Sequence, residues 1–258
     1  MRIENVSIVG MGALGVMYGD FFTPKLGKEH VEFVADKARI DHFQQEVIFC
    51  NGRACDFSIA DEAETGRPAD LLIFAVKATG LQAAIHTVRN KVSEHTIILS
   101  LLNGITSEEI IGRAYGMNPI IHCIVQGMDT IKENNLVTYA HFGKIYLGIH
   151  DENDLKKQNL QAVVDLFDRI EMPYAVEDDI LRRMWCKLML NVGVNQTGMI
   201  YQGTYETVQR PGRARDFMKA AMQEVILVAQ KENVPIPQAD FDEYIRLLDP
   251  LTPAGMPS

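Results

Sequence analysis

The sequence predicts an α/β domain followed by an all-helical one. Three observations carry this. Short β-rich runs alternate with helix-like stretches through the first two thirds of the 258 residues. Two of those runs, 71–76 and 97–102, are almost wholly apolar, as strands buried on both faces are. Beyond residue 177 strand-like runs stop and only helical patterning remains. The expected division is therefore 1–177, a βαβ series, and 178–258, a helical domain.

Taken in order, residues 6–9 form a β-rich run that leads into a glycine-rich turn, and a helical pattern follows to about residue 22. Residues 31–34 read as a second strand. Residues 47–49 and 57–59 flank Asn51-Gly52, a hairpin or a turn between strands. The strand at 71–76 is followed by a helix over 81–92, and the strand at 97–102 by Asn103-Gly104. Ser107-Glu108-Glu109 opens the next helix, with acids in its first turn. Residues 119–125 read as a strand. The alternating runs 136–140 and 144–148, joined by a short turn, suggest an antiparallel extension of the sheet. A helix over 154–170 and a strand at 174–176 complete this part.

The totals narrow the function classes. Apolar residues make up 47% of the chain, enough for a real core. The formal net charge is −9 and no Lys/Arg-rich run occurs, which argues against nucleic acid or an anionic membrane as the main partner. The N-terminal segment lacks the features of a signal peptide, and no apolar run spans a bilayer, so a cytoplasmic protein is expected. Cys50, Cys55, Cys123 and Cys186 form no CxxC and read as reduced thiols. The histidines show no paired metal spacing, so no metal is expected.

Gly10-Met11-Gly12-Ala13-Leu14-Gly15 matches G-x-G-x-x-G, with a strand before it and a helix after it. That context makes it a Rossmann-type dinucleotide-binding turn. Gly10 permits the tight turn, Gly12 lets backbone approach a pyrophosphate, and Gly15 lets the helix pack close to the strand. The helix N-terminus offers free N–H groups and partial positive charge to the phosphates. Asp36 lies about 20 residues on, where an acid accepts a hydrogen bond from the ribose 2′-OH of NAD. A carboxylate there repels a 2′-phosphate and favours NADH, while Lys37 and Arg39 would cover a phosphate if Asp36 turned away. An ordinary loop acid is the alternative reading.

The segment from Arg183 to Gly198 carries Lys187, Asn191 and Asn195 four residues apart on an otherwise apolar helix. The three drift only about 80° around the axis. Such a stripe is a solvated face, a buried polar network, or the lining of a cleft. In a cleft, Lys187 serves as a general acid toward a carbonyl oxygen and the amides hold a polar substrate.

The glycine turn, Val76-Lys77-Ala78, Leu102-Asn103-Gly104 and Trp185-x-Lys187-Leu-x-x-Asn191-x-x-x-Asn195 occur in this order. On these motifs the whole chain resembles the ketopantoate reductase (2-dehydropantoate 2-reductase) family. The resemblance implies reduction of ketopantoate by NADPH to D-pantoate, on the way to pantothenate and coenzyme A, at a site between the two domains. It implies Lys187 as the catalytic lysine, Asn191 and Asn195 as substrate-binding, Asn103 near the nicotinamide, Lys77 on the cofactor side, and Ser258 as a substrate-binding serine. A homodimer is expected, since a helical second domain commonly mediates one.

Asp36 stands where the family usually carries an arginine, which keeps NADH beside NADPH. Tyr205 and Gly255 stand where substrate-side asparagines are usual. These departures support an alternative on the same fold, an NAD-dependent D-2-hydroxyacid (mandelate-type) dehydrogenase. The family continues past the position of Ser258 to an active-site carboxylate, so the helical domain is expected to be incomplete. A dinucleotide-binding protein without turnover is the third reading.

Overall fold

A computed structural model describes residues 1–255, apart from the side chain of Gln44. It divides into two compact units, 1–180 and 181–258.

The first unit is built on a parallel sheet of five strands: β1 (Val6–Val9), β2 (Val31–Ala35), β5 (Ser58–Asp61), β6 (Leu71–Phe74) and β7 (Ile97–Ser100). Their order is β5-β2-β1-β6-β7, with Val6 opposite Val31 on one side and Leu71 on the other. Chain order reverses direction between β1 and β6, the switch point of a doubly wound fold. Between these strands run α1 (Ala13–Leu26), α2 (Lys37–Gln45), the short strands β3 (Phe49–Cys50) and β4 (Arg53–Ala54), and α3 (Leu81–Thr87). Then follow α4 (Ser107–Tyr115), β8 (His122–Met128), β9 (Ile131–Glu133), β10 (Leu136–Thr138), β11 (Phe142–Gly148), α5 (Asp154–Arg169) and β12 (Tyr174–Val176).

The apolar strands are buried because helices cover both faces of the sheet. On one face Ile8, Leu71, Ile73 and Leu99 pack with Val16, Met17 and Phe22 of α1 and Val163, Leu166 and Phe167 of α5. On the other, Val9, Leu72, Phe74 and Ile98 pack with Leu81 and Ala84 of α3 and Ile111 of α4. The two-residue period of each strand divides its side chains between these cores.

Two expectations need correction, and one helix is present that the sequence does not announce. The helix expected over 81–92 ends at Thr87, and residues 89–91 form a separate 3₁₀ turn that buries Lys91 against Glu32 at 2.9 Å. Helix α2 lies where the sequence shows no helical pattern; its apolar face is reduced to Ile40 and Phe43, too little for a periodic signal. The runs around 136–140 and 144–148 do not pair with each other. β10 pairs with β9 and, in parallel, with the distant β3, giving a small sheet β4-β3-β10-β9. β11 instead pairs with β8 and β12 in a third sheet. Residues 119–121 do follow β7 in parallel, through Ile98 N–H to Pro119 O and Ile121 N–H to Ile98 O.

The second unit is helical: α6 (Ile180–Tyr201), α7 (Tyr205–Gln209), α8 (Arg213–Lys231) and α9 (Gln238–Leu248). α6 and α8 meet at Gly193, where a Cβ would lie 2.5 Å from Met222. Met184, Met189, Met218, Met222, Phe241 and Tyr244 are buried here. Arg182 pairs with Asp240 at 3.2 Å, and Arg215 grips both carboxylate oxygens of Asp249 at 2.7 and 3.1 Å. Among the described residues no helix is long and apolar enough to cross a membrane.

Candidate active site

The glycine turn sits at the carboxyl end of β1. Gly10 has φ +104°, a left-handed conformation that a side chain disfavours, and a Cβ there would lie 2.6 Å from Ala75 O. At Gly15 a Cβ would lie 1.9 Å from Gly10 O, so the first turn of α1 rests directly on the turn it follows. Gly12 is the N-cap of α1 and is exposed, and a Cβ there would lie in ordinary contact, 3.7 Å from Ala75 O. No side chain caps α1 and no acid stands in its first turn. The N–H groups there, with the helix dipole behind them, suit an anionic pyrophosphate. The residues present therefore fit a dinucleotide.

The other proposed cofactor-side residues leave the same edge of the sheet. Asp36 directly follows β2, Lys77 stands three residues past β6, and Asn103 stands three past β7. Lys77 and Asn103 are exposed. Asp36 is half-buried and has a local role that its sequence context does not disclose. It is the N-cap of α2: its carboxylate accepts from Arg39 N–H at 2.9 Å and lies 3.5 Å from the Arg39 guanidinium. Gly104, with φ +110°, turns the chain behind Asn103.

Under that turn lies a buried hydroxyl–carboxyl chain. Ser100, the last residue of β7, donates to Ser107 at 2.8 Å, and Ser107 donates to Glu108 Oε2 at 2.8 Å. Cys123 Sγ donates to the Ser100 carbonyl at 3.1 Å. Glu108 is 2% exposed and its Oε1 has no partner, so burial pushes its carboxyl up to about 7. In the sequence Glu108 reads only as a first-turn acid; the signal for more is a Ser at each end of the loop. His122, at the start of β8, is also buried with Nδ1 unpartnered, and desolvation followed by the nearby Lys156 charge lowers it to about 4.

In the helical unit, Lys187, Asn191 and Asn195 lie on the single unbroken helix α6, each half-buried. They span about 12 Å along its axis. Met184, Met189 and Val194 of the same helix are buried. Half-burial excludes a fully solvated face. Tyr205 and Gly255, which stand where asparagines are usual, meet each other. Tyr205 N–H donates to Gly255 O at 3.0 Å, and a Cβ at Gly255 would lie 2.9 Å from the Tyr205 ring. Ser258 lies outside the described residues.

Comparison with known proteins bears on both units. Residues 6–152 match the model of the ketopantoate reductase PanE/ApbA domain, and residues 179–258 match its C-terminal domain. The chain belongs to the ketopantoate reductase family. Members of this family are nicotinamide-dependent oxidoreductases acting on a keto or CH–OH group, and the chain is an enzyme of that class. Family membership also accounts for a nicotinamide dinucleotide as cofactor. The 2-dehydropantoate 2-reductase of Aquifex aeolicus is 23% identical over 238 residues, 92% of this chain and 76% of that protein. D-mandelate dehydrogenase with NADH and anilino(oxo)acetate superposes with a TM-score of 0.84 at 19% identity, over 97% of this chain and 81% of that one. A dimeric ketopantoate reductase from Staphylococcus aureus superposes with a TM-score of 0.79 at 20% identity, over 98% and 82%.

Proposed function

We propose that this protein is a 2-dehydropantoate 2-reductase, reducing ketopantoate to D-pantoate with NADPH. The observation that carries the reading is the half-buried Lys187–Asn191–Asn195 stripe on α6, in a chain whose two halves both belong to the family. A bound dinucleotide would supply a hydride to the keto carbon, with the C=O π electron pair passing to oxygen. Lys187 donates a proton from Nζ to that oxygen and completes the hydroxyl. Asn191 and Asn195 offer amide N–H groups to the substrate's polar oxygens, with Asn103 and Ser258 completing its orientation. Gly10, Met11, Gly12, Ala13, Leu14 and Gly15 would hold the pyrophosphate through backbone N–H groups, and Lys77 and Asp36 would meet the rest of the cofactor.

Lys187→Ala is expected to lower kcat by about 10²- to 10⁴-fold while NADPH affinity, read by fluorescence titration, stays within about twofold. Unchanged kcat would remove Lys187 from the reaction.

A specific observation favours a second reading. Asp36 presents a carboxylate at the end of β2, which suits the 2′-OH of NADH, and Tyr205 against Gly255 replaces two amides with an aromatic ring. These features support an NAD-dependent D-2-hydroxyacid dehydrogenase of mandelate type. Rates with NADH and NADPH, each against ketopantoate and phenylglyoxylate, separate the two; no turnover with any pair would leave a dinucleotide-binding protein. We assign the working unit as a homodimer, supported by exposed Phe217, Leu227 and Val228 on α8. Four free cysteines are in keeping with the cytoplasm.

A further inference from the structure

The small sheet β4-β3-β10-β9 is separate from the five-stranded sheet, yet one of its residues reaches the glycine turn. Lys132, on β9, donates from Nζ to the carbonyl oxygen of Met11 at 2.5 Å. Met11 directly precedes Gly12, the N-cap of α1. A half-buried ammonium is thereby fixed beside the positive end of a helix dipole, an arrangement that is unfavourable by itself. Burial lowers the basicity of Lys132, and the charge of Glu46 only partly opposes this. The first turn of α1 contributes no acid to offset the two positive ends. A bound anion at the turn would offset both.

We propose that Lys132 is a cofactor-binding residue whose ammonium, anchored on the Met11 carbonyl, attracts the pyrophosphate of the dinucleotide to the glycine turn. The proposal rests on the dinucleotide reading of that turn. In it the small sheet carries one fixed positive charge to a point that α1 and β1 cannot supply. One ammonium proton is used on Met11, and two remain for phosphate oxygens. The alternative is that Lys132 is a strut that ties β9 to the turn.

The test compares wild type with Lys132→Met, Lys132→Gln and Lys132→Arg by fluorescence titration with NADH and NADPH between low and moderate salt. Lys132→Gln keeps a donor but removes the charge. The expected result is an affinity for both cofactors reduced about 10- to 100-fold in the Met and Gln variants, the weight of one hydrogen bond to a charged group. Their Kd should also depend less steeply on salt, and Arg should recover most of the affinity. Melting temperatures without ligand should be unchanged or higher, because a like-charge contact has been removed. Equal affinities in wild type and the two neutral variants would overturn the proposal while leaving the turn as the dinucleotide site. So would affinity lost with an unaltered salt slope, which is the strut's signature. A wild type that binds neither cofactor would defeat the dinucleotide reading itself, and this proposal with it.

Discussion

Replacing Glu108 with Gln should change how stability depends on pH, and the size of the change follows from two buried groups in the first unit. The Glu108 carboxyl is raised from 4.5 to about 7 by burial, so the folded protein holds its proton where the unfolded chain has lost it. That contribution is full below pH 4.5 and is lost as pH rises through about 7. His122 runs the other way. Its imidazole is lowered from 6.5 to about 4, so its contribution is present above pH 6.5 and lost as pH falls through about 4. Each displacement, of about 2.5 pH units at about 1.4 kcal/mol per unit, is worth about 3 kcal/mol. Between pH 4.5 and 6.5 the two slopes oppose and nearly cancel. Glu108→Gln removes one of them. Relative to wild type, the variant should therefore gain about 3 kcal/mol between pH 4.5 and 7, or about 6–12 °C in Tm for a protein of this size. Any constant cost of the amide in that site drops out of the comparison. Urea unfolding at fixed temperature, or calorimetry, in buffers from pH 4.5 to 7.5 measures it. A wild-type-to-variant difference that stays constant over this range would refute the argument, because it would mean that Glu108 titrates alike in both states.

Two further outcomes follow from close contacts. Gly15→Ala forces a Cβ to within 1.9 Å of Gly10 O, a backbone atom that cannot move aside. It should destabilise the first unit by about 3 kcal/mol or more and abolish dinucleotide binding, read by urea unfolding and NADH titration. Gly255→Asn alone drives its side chain into the Tyr205 ring 2.9 Å away, whereas Tyr205→Asn with Gly255→Asn relieves the clash. Differential scanning fluorimetry should show the double variant more stable than the Gly255→Asn single one, a coupling of about 1 kcal/mol or more; additive effects would count against it.

The alternation of β-rich and helical runs makes the main sheet legible, and the unbroken apolar runs at β6 and β7 mark the strands covered on both faces. The glycine spacing places the turn because it combines a left-handed φ with a backbone contact, and only glycine satisfies both. Three features are not legible, each for a nameable reason. α2 has too few apolar residues to show a helical period, and Asp36, its cap, reads in the sequence for its chemistry toward a ribose rather than for its hydrogen bond to Arg39. β10 shows its alternation but not its partner, since β3 lies 87 residues away along the chain at Val137 and Cys50. Glu108 looks like a surface acid because the hydroxyl that meets it, Ser107, is in turn tied to Ser100 at the far end of the loop. Lys187, Asn191 and Asn195 are legible as a group since a single helix carries all three.

The pairing of β3 with β10 also sets an order of events during synthesis. All five strands of the main sheet are contained in the first 100 residues, so a nascent chain can assemble it early. Lys132 arrives 32 residues after Ser100, the end of the last of these strands, which at about 5–20 residues per second is a delay of about 2–6 s. Through that interval the ribosome-bound intermediate has its glycine turn but not its ammonium, and the edge of β3 is unpaired and open to a wrong strand. Chaperone dependence of this protein should therefore concentrate on chains between those two lengths.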